Sequence, residues 1–234
     1  MNYAIIAAGE GSRLVQEGVR YPKPLVRLNG VPMIRRLIDI MMACDPESLT
    51  VIVNEQMTEV ADYLRSLTLP VELHLVVKST PSSMHSFYEV SRNMPATGKF
   101  CLTTVDTIFR ADDFHRYIKA FEADSDGADG YMGVTTFVDD EKPLYISTDH
   151  DHFITAFTDQ PTDATTCISG GVYGLTAPAV KVLEQCLAEG VSRMRNYQRA
   201  LVAAGLKLRA WEFPKIVDVD HAGDIATAEA FINE

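Results

Sequence analysis

The residues in this chain with the types and spacing for phosphate chemistry lie in three places. Gly9-Glu10-Gly11-Ser12-Arg13 follows at once on the apolar run Tyr3-Ala4-Ile5-Ile6-Ala7-Ala8, and Lys23 stands ten residues beyond Arg13. Glycines two apart let the backbone turn with positive φ and bring its N–H groups close to a bulky ligand. A row of such donors, with Arg13 at its end and Lys23 nearby, suits a polyanion, for which a triphosphate is the natural candidate. The other two places are acidic: Asp106 closes the run Phe100-Cys101-Leu102-Thr103-Thr104-Val105, and Asp220 ends Asp218-Val219-Asp220 late in the chain. A carboxylate buried at a strand end is costly without a cation, and magnesium commonly takes one or two carboxylates together with substrate phosphates. A tight strand-to-helix turn with a surface arginine, and an aspartate that merely caps a strand, account for the same residues more blandly, and at this level both readings stand.

Such residues meet only if secondary structure brings strand ends together. The run from Tyr3 reads as a buried parallel strand. Residues 32–43 carry Ile34, Leu37, Ile38 and Met41 at helical period, and strand, helix and strand follow at 49–53, 57–67 and 71–77. A serine-rich turn at 78–86 leads into a helix with Phe87 and Val90, first of all as a capping segment. The strand ending at Asp106 is followed by a helix around 115–121 and a strand at 130–138. This alternation predicts a parallel sheet wound in right-handed crossovers, with ligands at the carboxyl ends of its strands. Beyond it come a hairpin (144–147 with 153–157), a strand at 165–175 containing Gly170-Gly171, helices at 178–188 and 192–204, a strand at 207–213 and a terminal helix. The glycine pair suits either a bulge or a close ligand. Asp224 is expected to cap the last helix, and Arg193, Arg195 and Arg199 to form a solvated face. His85 reads as a helix-face residue, Lys215 as a surface residue, and His150 and His152 as a polar hairpin tip rather than a metal site.

The string Ala7-Ala8-Gly9-Glu10-Gly11-Ser12-Arg13-Leu14, then Tyr21-Pro22-Lys23-Pro24-Leu25, then Gly30-Val31-Pro32-Met33-Ile34, closely resembles the N-terminal motif of a nucleotidyltransferase family. That family includes nucleoside-diphosphate-sugar pyrophosphorylases, choline-phosphate cytidylyltransferases and molybdenum-cofactor guanylyltransferases. The resemblance implies a single α/β domain over residues 1–234, Rossmann-like and three-layered (α/β/α), with a mostly parallel mixed central sheet and an acceptor-side hairpin insertion at about 139–175. It implies a nucleotide held by Ala7, Ala8, Gly9, Glu10, Gly11, Ser12, Arg13, Lys23 and Ser83, with Arg13, Lys23 and Asp106 catalytic. It places magnesium on Asp106 and Asp220, with Asp218 nearby, and the acceptor against Gly171. The implied activity is magnesium-dependent transfer of a nucleoside monophosphate from a triphosphate, CTP or UTP favoured, to a phosphomonoester, with release of pyrophosphate, as in polysaccharide precursor synthesis.

The chain departs from the family pattern in three places. Val105 replaces a glycine, His221-Ala222-Gly223 replaces Thr-Pro-x, and Asp159-Gln160-Pro161 stands where sugar-nucleotide members have Glu-Lys-Pro. That lysine holds an acceptor phosphate in the family, so the acceptor stays open between a sugar 1-phosphate and a phosphocholine-like ester. A non-catalytic nucleotide or sugar-nucleotide sensor on the same fold is the rival; it could lose the lysine or an aspartate, and all are present. A dinucleotide-binding loop would want a third glycine where Leu14 stands, and a glycosyltransferase an Asp-x-Asp near mid-chain.

Composition narrows the partners. Lys+Arg 21 against Asp+Glu 32 gives a net charge of −11, which repels a nucleic-acid backbone in the absence of any basic run. Against that background Arg13, Arg20, Lys23 and Arg27 form a local positive island. Cys44, Cys101, Cys167 and Cys186 show no Cys-x-x-Cys spacing and read as reduced core residues. No apolar run reaches membrane-spanning length, and the first strand starts directly after Met1, so no signal peptide, no membrane partner and a cytoplasmic location are expected. A homodimer stays open.

Overall fold

A computed structural model of the chain describes residues 1–94, 98–138 and 141–234. Positions 139 and 140, where the expected hairpin insertion begins, lie outside the described residues. The strands are β1 (Asn2–Ala7), β2 (Arg27–Leu28), β3 (Val31–Pro32), β4 (Ser48–Val53), β5 (Leu73–Val77), β6 (Lys99–Thr104), β7 (Thr107–Ile108), β8 (Gly130–Thr135), β9 (Tyr145–Thr148), β10 (Ile154–Thr158), β11 (Thr165–Thr176), β12 (Leu208–Glu212) and β13 (Val217–Asp218). The helices are α1 (Ser12–Gln16), α2 (Met33–Met42), α3 (Thr58–Arg65), α4 (Ser83–Ser91), α5 (Ala111–Ala123), α6 (Ala177–Ala188), α7 (Met194–Ala203) and α8 (Ala222–Asn233).

Nine strands form one mixed sheet in the order β10-β9-β11-β6-β1-β4-β5, with β8 joining β11 to β12. Its half built from β5, β4, β1 and β6 is parallel throughout; β11 then runs antiparallel to β6, β8 and β9. Alternation along β1 splits the core. Tyr3, Ile5 and Ala7 face a layer containing residues of α2, α3, α5 and α8, whereas Ala4 and Ile6 face one containing residues of α4, α6 and α7. Ile5 is wholly buried, and cutting it to alanine would cost about 2–5 kcal/mol through lost burial and the cavity left behind. All four cysteines are free and buried. No described helix is long and apolar enough to cross a membrane.

The strand order positions the site. From β1 the chain winds outward through β4 to β5, then returns to place β6 on the other side of β1. The crevice at the carboxyl ends of β1 and β6 is therefore the switch point, where loops diverge and leave room for a ligand. A second, two-residue ladder closes the crevice from the far end of the sequence. β13 pairs antiparallel with β7 (Val217 with Ile108, Asp218 with Thr107), and the Val219 N–H donates to the Asp106 carbonyl at 3.1 Å.

On the neighbouring strand the register of β11 against β8 shifts between Ser169 and Val172. The glycine pair makes this bulge: Gly171 has φ +74°, and a Cβ on Gly170 would fall 2.3 Å from Ile216 Cδ1. The bulge and the ligand reading coincide, because Gly171 also lines a cavity beside the crevice.

Candidate active site

The crevice holds a cavity of ≈ 710 Å³ whose walls include the Ala8–Arg13 loop, Lys23, Ser83, Asp106 and Asp220. Ala7 is the exception among the expected nucleotide contacts. Its methyl packs into the core on the opposite face of β1, and Ala8 lines the cavity instead. Only Gly11 of the two loop glycines is left-handed, at φ +61°; Gly9 adopts no positive φ and has open space where a Cβ would stand. Gly11 serves a second need, because a Cβ there would meet Lys23 Cβ at 2.8 Å. The bare backbone lets Lys23 pass beneath the loop.

Lys23 starts a single 3₁₀ turn, Lys23–Leu25, between Pro22 and Pro24, whose rings restrict the backbone on both sides. Its side chain is 9% exposed, and its ammonium lies 2.6 Å from Asp106 Oδ2 and 2.5 Å from Asp220 Oδ1. Arg13 Nη1 adds a bond of 3.1 Å to Asp220 Oδ2. Burial by itself would push the Lys23 pKa down, but the charges and hydrogen bonds of Asp106 and Asp220 outweigh it and hold the ammonium above its ordinary range. Burial likewise works to raise the Asp106 carboxyl; Lys23 and the Thr104 hydroxyl overcome it and keep Asp106 ionised. The expected residues Arg13, Lys23, Asp106 and Asp220 thus form one ion cluster.

This donor set fits magnesium. Asp106 and Asp220 offer oxygens on two sides of a point where positive charge is already held, and both are hard ligands. No group of three or more His, Cys, Asp or Glu that could hold a metal occurs among the described residues. An ion on these two carboxylates would take its remaining ligands from water and phosphate, as magnesium commonly does.

Asp220 is held from its C-terminal side as well. Asp224 Oδ2 accepts from the Asp220 N–H at 2.9 Å and the His221 N–H at 2.6 Å, and with the His221 side chain completes a capping box on α8. Glu17, just beyond α1, accepts from the Ala222 N–H at 2.6 Å and pairs with His221 Nδ1 at 2.6 Å. The residues that replace Thr-Pro-x therefore tie the end of the glycine-loop segment to the start of α8.

The β4 side of the crevice carries a residue that sequence reasoning missed. Asn54, buried at the end of β4, accepts the Ser79 hydroxyl at 2.9 Å and donates to the Ala8 carbonyl at 3.4 Å. The available signal was a polar residue closing an apolar strand, the same signal that marks Asp106. His85 behaves as expected, half-buried on α4 with Nδ1 2.9 Å from Ser82 Oγ. Lys215 is more enclosed than a surface residue, its ammonium lying 5.0 Å and 4.8 Å from the ring centres of Phe137 and Phe231.

A second cavity, ≈ 280 Å³, opens on the other side of Asp106 and Asp220; Ser83, Gly171 and Asp218 also line it. Its α7 wall corrects one expectation. Arg195 and Arg199 are not a solvated face: both grip Asp159 Oδ1, at 2.6 Å and 2.8 Å, and Arg199 Nε donates to the Phe157 carbonyl at 3.2 Å. The periodicity placed them on the polar side of the helix but could not show that the hairpin covers that side. Ser169 and Gln198, also unforeseen, line the same cavity. The one signal for Gln198 in the chain is a polar residue standing at helical period with the buried Met194, Tyr197 and Leu201.

The family described as MobA-like NTP transferase domain matches residues 3–169. Among curated proteins, the bifunctional protein GlmU of Bifidobacterium animalis subsp. lactis is 30% identical over 146 residues, which are 58% of this chain and 29% of that protein. The 2-aminoethylphosphonate cytidylyltransferase of Lancefieldella rimae is 29% identical over 92 residues, 38% of this chain and 37% of that protein. The match thus spans less than a third of the one relative and little more than a third of the other. The solved inositol-1-phosphate CTP transferase from T. maritima superposes with a TM-score of 0.81 over 100% of this chain and 96% of that one, at 18% identity, which is a likeness of fold.

Proposed function

Because the chain belongs to the MobA-like NTP transferase family, we propose that it is a magnesium-dependent nucleotidyltransferase that moves a nucleoside monophosphate from a triphosphate to a small phosphomonoester and releases pyrophosphate. The observation that carries the reading is the Lys23 ammonium held between Asp106 and Asp220 beneath a glycine loop, in a cavity of ≈ 710 Å³ that falls within the usual range for ligand pockets.

The residues divide the work by position. The loop N–H groups from Ala8 to Ser12, with Arg13, hold the β- and γ-phosphates that leave as pyrophosphate. Lys23 neutralises the α-phosphate under attack by an acceptor phosphate oxygen, and Ser83 contacts the nucleoside. Asp106 and Asp220 would hold magnesium, which supplies charge neutralisation at the transferring phosphoryl group. The protein needs little covalent chemistry, since positioning and preorganised charge lower the barrier. The hairpin of β9 and β10 with β11 forms the acceptor side, next to the second cavity. A cytidylyltransferase and a CTP transferase among the similar proteins support CTP as the first donor to try.

The test is pyrophosphate release with each of CTP, UTP, ATP and GTP against a panel of phosphomonoesters, with and without magnesium. Magnesium-dependent release with one donor and acceptor pair is expected. Nucleotide binding without release across the panel would favour a sensor and overturn the proposal.

A further inference from the structure

The central sheet ends on one side at β5, and no strand among the described residues pairs with its outer edge. In a parallel ladder every second residue turns both backbone groups toward the neighbouring strand. The Glu72 carbonyl accepts the Leu49 N–H at 3.3 Å and the Lys78 N–H donates to the Val53 carbonyl at 2.9 Å, so positions 72, 74, 76 and 78 face β4. Leu73, Leu75 and Val77 therefore point their N–H and C=O groups outward. Proteins commonly guard such an edge with a proline, a bulge, a lysine or a covering segment. The other margins of this sheet have guards. β10 carries a register shift between Ile154 and Ala156, and residues 152 and 153 lie along β12, where the His152 carbonyl accepts the Ala210 N–H at 2.9 Å. β5 has neither: its register is unbroken, its sequence Leu-His-Leu-Val-Val holds no proline or lysine, Leu73, Leu75 and Val76 are only half-buried, and Val77 is 39% exposed.

An open edge of this kind accepts another strand, and the residues around β5 are complementary to their own reverse. A second copy laid antiparallel about a two-fold axis at Leu75 sets Leu73 opposite Val77 of the other copy. That register alone pairs the three outward residues among themselves. It also sets Glu72 opposite Lys78 on both sides of the axis, in the non-hydrogen-bonded pairs where facing side chains stand closest. Both side chains reach solvent, at 78% and 50% exposure. Their contacts within the chain, Glu72 with His74 at 3.7 Å and Lys78 with Glu89 at 2.7 Å, are surface pairs that give way at little cost. We infer that β5 is the interface of a homodimer in which two copies of this chain join their sheets edge to edge, fixed in register by the apolar strand and by Glu72 against Lys78. The inference goes beyond the transferase reading and does not depend on it.

Sedimentation equilibrium of the full chain across the micromolar range, without nucleotide or magnesium, reads the dimer directly. Wild type is expected to dimerise in that range. Glu72→Lys and Lys78→Glu each bring like charges together across the axis and should raise the dimer Kd about tenfold. The double variant restores opposite charges and should return the Kd to near its wild-type value. Val77→Pro removes an outward N–H and spares the bonds to β4, so it should leave the circular dichroism spectrum unchanged yet abolish the dimer. A monomer throughout the range, a dimer indifferent to Val77→Pro, or a double variant as weak as the single ones overturns the inference and leaves the transferase reading intact.

Discussion

The Val219 N–H donates to the carbonyl of Asp106 at 3.1 Å, and this bond sets the next residue, Asp220, beside the carboxylate that follows β6. With the β7–β13 ladder it aligns two chain segments so that both acids reach Lys23. The cluster is thus a property of backbone pairing, and changes to it should act on charge rather than on the fold.

Lys23→Ala should lower turnover about a hundred- to a thousandfold, the usual effect of losing one stabilising contact to the reacting phosphate. Pyrophosphate release measures it. Wild-type turnover in the variant would remove Lys23 from the mechanism.

The same variant leaves Asp106 and Asp220 facing one another without the ammonium between them. Magnesium should therefore raise the melting temperature of Lys23→Ala by more than it raises that of wild type, because the ion then relieves repulsion that Arg13, which pairs with Asp220, only partly offsets, as well as binding the folded state. Equal or smaller shifts in a thermal scan would show that the two acids do not share an ion.

Gly11→Ala should destabilise the protein by about 1–3 kcal/mol, from the left-handed backbone at φ +61° and the 2.8 Å approach to Lys23 Cβ. Urea unfolding gives the stability, and a nucleotide titration should show weaker binding as Lys23 is displaced. Gly9→Ala, with open space at its Cβ, should leave stability nearly unchanged.

The contact between Glu17 and His221 predicts a pH window. The hydrogen bond from His221, then that from the Ala222 N–H, lower the Glu17 pKa from 4.5; the hydrogen bond to Glu17 raises that of His221 from 6.5, with Glu141 and Asp224 adding to it. The His221 contribution is complete below 6.5 and is lost as pH rises through its raised value. The Glu17 contribution is complete above 4.5 and is lost as pH falls through its lowered value. The stability difference between wild type and Glu17→Gln should be greatest between these two values and shrink on either side. Urea midpoints across pH 4 to 9 check this, and a flat difference would contradict it.

Asp224→Ala removes the acceptor of two N–H groups at the start of α8 and should cost about 1 kcal/mol. Because one of those groups belongs to Asp220, magnesium affinity should fall in the same variant, as calorimetry can read.

The parallel half of the sheet was legible because each of its strands is a continuous apolar run and helices with clear period separate them. The glycine loop and Lys23 were legible because they lie close together in the chain and their types carry the chemistry. Other features left no local mark. In a strand buried on both faces, alternation has no polar side, so nothing in Tyr3-Ala4-Ile5-Ile6-Ala7-Ala8 told Ala7, which faces the core, from Ala8, which faces the cavity. Charged residues on a helix look solvated until another element covers them, as the hairpin's Asp159 covers Arg195 and Arg199.

By itself the sequence determined which groups could handle a triphosphate and which strands would carry them, since residue type and short-range period are local properties. Tertiary structure alone decided that Asp106 and Asp220 converge on the Lys23 ammonium and that Gln198 borders the second cavity. Those meetings depend on a two-residue ladder and on how α7 packs beside β11, and contacts between distant segments leave no period in the chain that makes them.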